Sequence, residues 1–281
     1  MNKTNINLTL GYSTCPNDTF IFYALAHNLV DSMGIKFNIR LADVETLNQN
    51  AGLGLMDVTK LSFATIGHLT GAYGLLRSGA ALGRGCGPLI VSRPGFDLKG
   101  IASKKVAVPG MWTTACMLLG LYMPSPPEVI PLPFEQIMPA VQNKTFDFGV
   151  IIHEGRFTYK QHGLVCLLDL GRWWESKTSL PIPLGGIAIH RKHGKKMAKQ
   201  VETIIKNSII YAFNHRKQTN GYVKAHAQEM SEEVIKQHID LYVNRFSIDM
   251  GEEGTKAVDM LFRMSIKQGL MPDTMTSVFA C

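Results

Sequence analysis

Apolar and polar positions along the first half of the chain fall into short alternating blocks, and the series of blocks occurs twice. Ile6 to Gly11 read as a strand, Cys15-Pro16-Asn17-Asp18-Thr19 as a turn, and Phe20 to Leu29 as an apolar helix. A strand over Ile35 to Leu41 and a helix over Val44 to Leu55 follow, and the unit ends on Asp57-Val58-Thr59-Lys60-Leu61-Ser62. The second unit runs through a strand (Lys105 to Val108), the turn Pro109-Gly110-Met111-Trp112-Thr113-Thr114, a helix (Ala115 to Met123), a strand (Glu128 to Leu132) and a helix (Glu135 to Asn143). It ends on Asp147-Phe148-Gly149-Val150-Ile151-Ile152-His153-Glu154. Strands alternating with helices predict parallel sheets, whose ligands sit beyond the carboxyl ends of the strands. Two such sheets facing each other enclose a cleft, with His153 at its wall.

Two extended, glycine-flanked segments bound the second unit. Gly85-Cys86-Gly87-Pro88-Leu89-Ile90-Val91-Ser92 leads into the turn-rich Arg93-Pro94-Gly95 and Asp97-Leu98-Lys99-Gly100, and Leu184-Gly185-Gly186-Ile187-Ala188-Ile189-His190 follows the proline-rich Leu180-Pro181-Ile182-Pro183. Read as crossings, they divide the chain into a discontinuous larger lobe, residues 1–94 and 184–281, and an inserted smaller lobe, residues 95–183. The length of 281 residues and the 46% hydrophobic content suit two such α/β lobes around a central cleft. Val201 to Phe213, Glu232 to Val243 and Gly254 to Lys267 carry apolar positions at three- and four-residue spacing and predict packing helices. Met264, Met271 and Met275 are read as filler in that packing.

Charge changes this picture little. The formal net charge is +7. Nine Lys or Arg lie between Arg191 and Lys224 against the single acid Glu202, so this stretch accounts for the whole excess. Its aromatics, Tyr211, Phe213 and Tyr222, are absent from the most basic part, Arg191 to Lys206, and do not interleave there as a stacking platform would require, so the stretch reads as the solvated face of helices and not as a nucleic-acid surface. A diffuse positive field favours an anionic small substrate. Five scattered cysteines without a Cys-x-x-Cys pair read as reduced thiols. The opening Met1-Asn2-Lys3-Thr4-Asn5 runs into a strand with no apolar signal region, and no run is long enough to span a bilayer. The expectation is a cytoplasmic protein without a membrane partner; the sequence is silent on oligomeric state.

The candidate chemistry collects at the strand ends. His153 is the first polar residue after the continuous apolar run Gly149 to Ile152, where an imidazole is shielded enough to be tuned and open enough to meet a ligand; a hydrogen-bonded core histidine fits the same position. Strand alternation would point Glu154 to the opposite face, so adjacency does not pair the two. Thr113 and Thr114 open a helix whose free amides suit a carboxylate or phosphate, although helix capping alone would account for them. Lys60 and Ser62 face one side of their strand, either towards an anion or towards solvent. Cys15 sits at a helix start with no histidine inside its motif to act as its base, which favours a structural turn over a nucleophile. Gly83, Gly85 and Gly87 imitate a nucleotide loop but precede a strand. No metal-ligand spacing is found, and no metal or cofactor is expected.

Several motifs taken jointly resemble one family. These are Cys15-Pro16-Asn17-Asp18-Thr19-Phe20, Asp57 to Ser62, Gly87-Pro88-Leu89, Pro109-Gly110 with Thr113-Thr114-Ala115, and Ile152-His153-Glu154-Gly155-Arg156-Phe157-Thr158-Tyr159. Together they are similar to the 1,4-dihydroxy-6-naphthoate synthases of the futalosine route to menaquinone, over residues 8 to about 190. The resemblance implies a periplasmic-binding-protein type II-like fold working as a cofactor-free lyase on cyclic dehypoxanthinylfutalosine. It further implies His153 as general base, with Lys60, Leu61, Ser62, Thr113 and Thr114 contacting substrate. A chorismate dehydratase of the same pathway, or a non-exported binding protein for small anions, are the other readings.

Overall fold

The computed structural model describes residues 6–123, 125–227, 231–273 and 276–281. Met275 lies outside them. The first unit forms β1 (Ile6–Tyr12), α1 (Pro16–Ala26), β2 (Ile35–Leu41), α2 (Val44–Gly52), β3 (Val58–Ser62) and α3 (Phe63–His68). Two short strands, β4 (Tyr73–Leu75) and β5 (Ala81–Gly83), lead to β6 (Leu89–Ser92). The second unit forms β7 (Lys105–Val108), α4 (Thr114–Tyr122), β8 (Glu128–Pro131), α5 (Phe134–Gln142) and β9 (Phe148–Ile151). Then come α6 (Gly155–Thr158), β10 (Val165–Asp169), α7 (Leu170–Thr178) and the long β11 (Ile182–His190). The chain closes with α8 (Gly194–Asn214), α9 (Arg216–His226), α10 (Glu232–Tyr242), α11 (Arg245–Ile248) and α12 (Gly251–Lys267).

The repeat is three-dimensional. In the first sheet β1 lies parallel to β2 and β3, and in the second β7 lies parallel to β8 and β9. Each third strand then takes one antiparallel partner. β11 runs along β3 from Gly185↔Ser62 to Ile189↔Val58, and β6 runs along β9 from Leu89↔Ile151 to Ser92↔Phe148. The sheet orders are β2-β1-β3-β11-β4, with β5 also on β11, and β10-β6-β9-β7-β8.

The observed boundary differs from the one read in the sequence. β6 sits within the second sheet, paired on both edges by β9 and β10, with all four residues buried. The chain therefore changes sheets at residues 84–88 and not near 94. β11 already pairs with β5 from Ile182, so the return lies just ahead of it. Strand β10 and helices α7 and α9 were not anticipated. Only Thr219 and Val223 of α9 are buried, so it carries no apolar stripe for periodicity to detect.

Packing follows the alternation of the strands. Leu8, Leu10 and Tyr12 of β1 meet Phe20 and Phe22 of α1 and Val201 and Ile205 of α8 in one core. Leu89, Val91, Ile137, Val141 and Ile151 form another beneath the second sheet. The basic stretch is largely ion-paired: Lys192 with Asp57, Lys199 with Glu202, Lys206 with Asp249, Arg216 with Asp240 and Lys224 with Glu232. No helix among the described residues is long and apolar enough to cross a membrane.

The glycine run that imitates a nucleotide loop has a packing role at Gly87. A Cβ there would stand 2.2 Å from the amide nitrogen and 2.3 Å from the Cα of Gly171, at the start of α7. Leu170 also donates its amide to the Pro88 carbonyl at 3.0 Å, which holds the two backbones together. Gly87→Ala must part them and should cost about 1–3 kcal/mol. Gly100→Ala, with nothing within 4 Å of its added Cβ, should stay within about 0.5 kcal/mol. Denaturant midpoints of the two variants check this directly.

Candidate active site

The facing ends of the two sheets enclose a cleft with about 640 Å³ of space, open mouth included. The first sheet brings Ser13, Asn17, Asp18, Lys60 and Ser62 to its wall; the second brings Thr113, Thr114 and His153; α10 brings His238 and Tyr242. The amino ends of α1 and α4, the corresponding helices of the two units, both open here.

Lys60 and Ser62 face the cavity as the strand period requires, but neither is free. The Lys60 ammonium lies 2.6 Å from Asp18 Oδ1, with both side chains at most 5% exposed. Ser62 donates its amide to Asn48 Oδ1 at 3.0 Å, and its hydroxyl accepts from Asn48 Nδ2 at 3.2 Å. The same alternation turns Leu61 away. Its side chain is buried in the core with Phe63 and Tyr73, and its backbone pairs with Gly186, so it offers no side chain to a ligand. Thr113 caps α4, accepting the Cys116 amide at 3.2 Å and donating to the Gly110 carbonyl at 2.7 Å. Thr114 donates to the Leu184 carbonyl at 2.6 Å. The hydroxyls thus fix the loop, while the first amides of α4 and the positive end of its dipole remain to meet an anion.

His153 lies two residues beyond the end of β9, in a turn, with φ at +56°. This left-handed conformation breaks the alternation expected of a strand. The head groups of His153 and Glu154 consequently converge with Cys15 to within 4.8 Å, where alternation would have separated them. The imidazole stacks on Phe134 at 5.2 Å between centroids, and its Nδ1 is 2.7 Å from Cys15 Sγ. Cys15 thus has a histidine after all, supplied by the other sheet. Its thiol is buried and pushed well above the usual range by desolvation and then by the Glu154 charge, which makes it a hydrogen-bonding group and not a thiolate.

His238 was read only as part of a packing helix. It occupies a core-facing position of α10 with Ile235, Ile239 and Tyr242, and a histidine at such spacing is the signal that marks it. Its Nε2 donates to Asn17 Oδ1 at 3.0 Å, and its Nδ1 is 3.9 Å from Glu154 Oε2. Asn17 in turn donates to Asp18 Oδ1 at 2.8 Å.

Sequence and structure comparisons follow this geometry. A family model described as menaquinone biosynthesis matches residues 8–267. The chain belongs to that family. Within it, the chain is 47% identical over 265 residues to a 1,4-dihydroxy-6-naphthoate synthase of Thermus thermophilus, covering 94% of this chain and 95% of that one. It is 41% identical over 271 residues to the protein of the same name from Streptomyces coelicolor, with the same two coverages. A crystal structure of an Archaeoglobus fulgidus protein superimposes with a TM-score of 0.87 at 32% identity, covering 94% of this chain and 98% of that one. The alkanesulfonate-binding protein of Xanthomonas axonopodis, bound to MOPS, gives a TM-score of 0.69 at 13% identity, covering 95% and 94%. That last likeness shows the fold alone: a two-sheet α/β periplasmic-binding-protein type II-like fold.

Among the described residues, Cys15, His153 and Glu154 form the one group with the composition of a metal site. Two ligands on a tetrahedral zinc stand roughly 3.5 Å apart, whereas the sulfur and nitrogen here are 2.7 Å apart. This member of the menaquinone-biosynthesis family holds them as a hydrogen-bonded pair in this arrangement.

Burial holds the imidazoles neutral. Desolvation, with Asp18 opposing and Lys60 assisting, lowers His153 to about 4, and desolvation, His153 and Lys60 hold His238 well below the ordinary histidine range. A histidine whose folded pKa is depressed destabilises the native state once the unfolded chain begins to bind protons. Stability should therefore be full above about pH 6.5 and fall as the pH drops towards 4, with His153 contributing on the order of 1–3 kcal/mol. Asn tolerates positive φ, so His153→Asn keeps the turn. Denaturation at pH 7 and pH 5 should show a smaller acid loss in His153→Asn than in the wild type.

Proposed function

We propose that the chain is a 1,4-dihydroxy-6-naphthoate synthase of the futalosine route to menaquinone, a carbon–carbon lyase acting on cyclic dehypoxanthinylfutalosine with His153 as general base. Identity of 47% over nearly the whole of both chains with a protein of that name carries the activity. The base assignment rests on an imidazole held neutral at the mouth of a buried strand, with Nδ1 engaged by Cys15. Among the described residues Nε2 takes no hydrogen bond, and this nitrogen is left to meet substrate.

The substrate's carboxylate fits the amino end of α4, where amides and dipole supply positive potential. Lys60 is neutralised by Asp18, so the anion is met by oriented backbone rather than by a free cation. Proton removal at Nε2 leaves an imidazolium, which the Asp18 charge favours. The enclosed wall excludes water, which strengthens each of these interactions. The other two readings have less support. Both curated relatives carry the synthase name and not that of a dehydratase, and the solute-binding neighbours share only the fold.

Loss of the base should cost about 10² to 10⁴ in kcat, with substrate still bound. His153→Asn is the informative variant because it keeps size, polarity and the left-handed turn. A near wild-type rate of naphthoate formation by that variant would assign the base elsewhere. In the wild type the competent form is the neutral imidazole, so kcat/KM should stay level through pH 6.5 and fall only near pH 4. A pH–rate profile read at short times, before acid unfolding, checks this.

A further inference from the structure

The turn that carries His153 cannot hold itself. Its left-handed residue, with φ at +56°, is followed by α6, a single helical turn over Gly155–Thr158, and both conformations persist only where the surroundings fix them. The carbonyl of His153 accepts the Arg156 amide at 3.3 Å, and that of Glu154 accepts the Phe157 amide at 2.8 Å. Arg156 is in turn held from outside. Its Nη1 donates to the Gly87 carbonyl at 2.7 Å and its Nη2 to Asp169 Oδ2 at 2.5 Å, with 15% of the side chain exposed.

The two acceptors belong to different segments. Gly87 lies in the stretch 84–88 where the chain changes sheets. Asp169 ends β10 and caps α7, its Oδ1 accepting the amides of Gly171 at 2.9 Å and Arg172 at 3.1 Å. These segments are locked to each other by the close approach of Gly87 to Gly171 and by the bond from the Leu170 amide to the Pro88 carbonyl. A guanidinium reaches both acceptors at once because its donors sit in a fixed planar fork. The crossing, the start of α7 and the His153 turn therefore share one reference point, while Arg156 itself stands outside the lining of the cleft.

We propose that Arg156 is a positioning residue for the reaction: its fork fixes the His153 turn to the crossing between the sheets and so sets where the imidazole stands in the cleft. The proposal rests on His153 being the base. Without the fork the turn keeps its own backbone bonds but loses the two that tie it to the crossing and to α7. A displacement of about 1 Å at a reacting group costs on the order of 10²-fold in rate. The amino end of α4 is built independently, by the hydroxyls of Thr113 and Thr114, so an anion held there meets the same amides with or without Arg156.

The test uses the full-length protein with cyclic dehypoxanthinylfutalosine as substrate. Arg156→Met keeps the stem and removes both donors, and Asp169 retains its two capping amides, so no carboxylate is stranded. It should lower kcat by about 10- to 100-fold with KM within about twofold. Arg156→Lys keeps the charge beside Asp169 but, as a point donor, cannot span both acceptors. Its denaturant midpoint should return towards that of the wild type while its kcat stays low. The Cε1–H resonance of His153, assigned among the nine histidines by its absence from His153→Asn, should shift or broaden in both variants. If Arg156→Met does not fold, Arg156→Lys carries the test by itself. A wild-type kcat in Arg156→Lys overturns the proposal, because a role in stability alone is restored together with the ion pair. So does an unchanged His153 resonance in a variant whose kcat has fallen. If His153→Asn is inactive in either case, the base assignment stands and only the role of Arg156 falls; if His153→Asn turns over normally, the base assignment itself has failed.

Discussion

The buried pair between Lys60 and Asp18 is the contact on which the rest of the site depends. It ties the end of β3 to the first turn of α1 at 2.6 Å in a place with almost no solvent. Two charges in such a place are tolerated only if their remaining hydrogen-bonding capacity is met. Asn17 and both Ser13 donors meet it on the Asp18 side. Those same bonds set the path of the backbone through Cys15, and hence where its sulfur meets the other sheet. Removing either partner would leave a buried uncompensated charge and loosen the turn that carries the thiol, so stability and chemistry at this point cannot be altered separately.

The repeated βαβ series was legible because each strand end and helix start carries its own local signal. Ile35–Leu41 and Lys105–Val108 were located to the residue, and the extended segments next to the changes of sheet stood out by their flanking glycines. Position in the fold also marked His153, since a polar residue at the end of an apolar strand has few other places to be. What sequence could not supply was company. Cys15 and His153 are 138 positions apart and meet only because the sheets face each other. Alternation argued against bringing His153 and Glu154 together, and a single left-handed residue overturned it. Leu61 entered through family resemblance, but the two-residue period that turns Lys60 and Ser62 towards the cleft turns its side chain into the core. Strand β6 was assigned to the wrong lobe because its sequence shows that it is extended, not which sheet accepts it.

The fold supplies a cleft at paired strand ends and helix starts, and proteins that hold small sulfonates share it at 13% identity. Chemistry is a separate matter, decided by a few side chains placed at that common opening. Here one wall supplies a neutral imidazole and the other a structured set of hydrogen bonds ending in a carboxylate. The helix starts that open on the cleft come with the topology, whereas the imidazole and the groups around it come from this sequence.

One consequence follows from the residence of Cys15 and His153 on different sheets. The bond between them exists only while the two halves are together, and at 2.7 Å a separation of an ångström or two abolishes it. An opened molecule would therefore retain every residue of the site and yet lose the contact between the Cys15 sulfur and the His153 ring. Chemical competence is a property of the joined state rather than of either half. On the function proposed above, ligand exchange with the halves parted and proton abstraction with them joined would be separate events, divided by a single hydrogen bond.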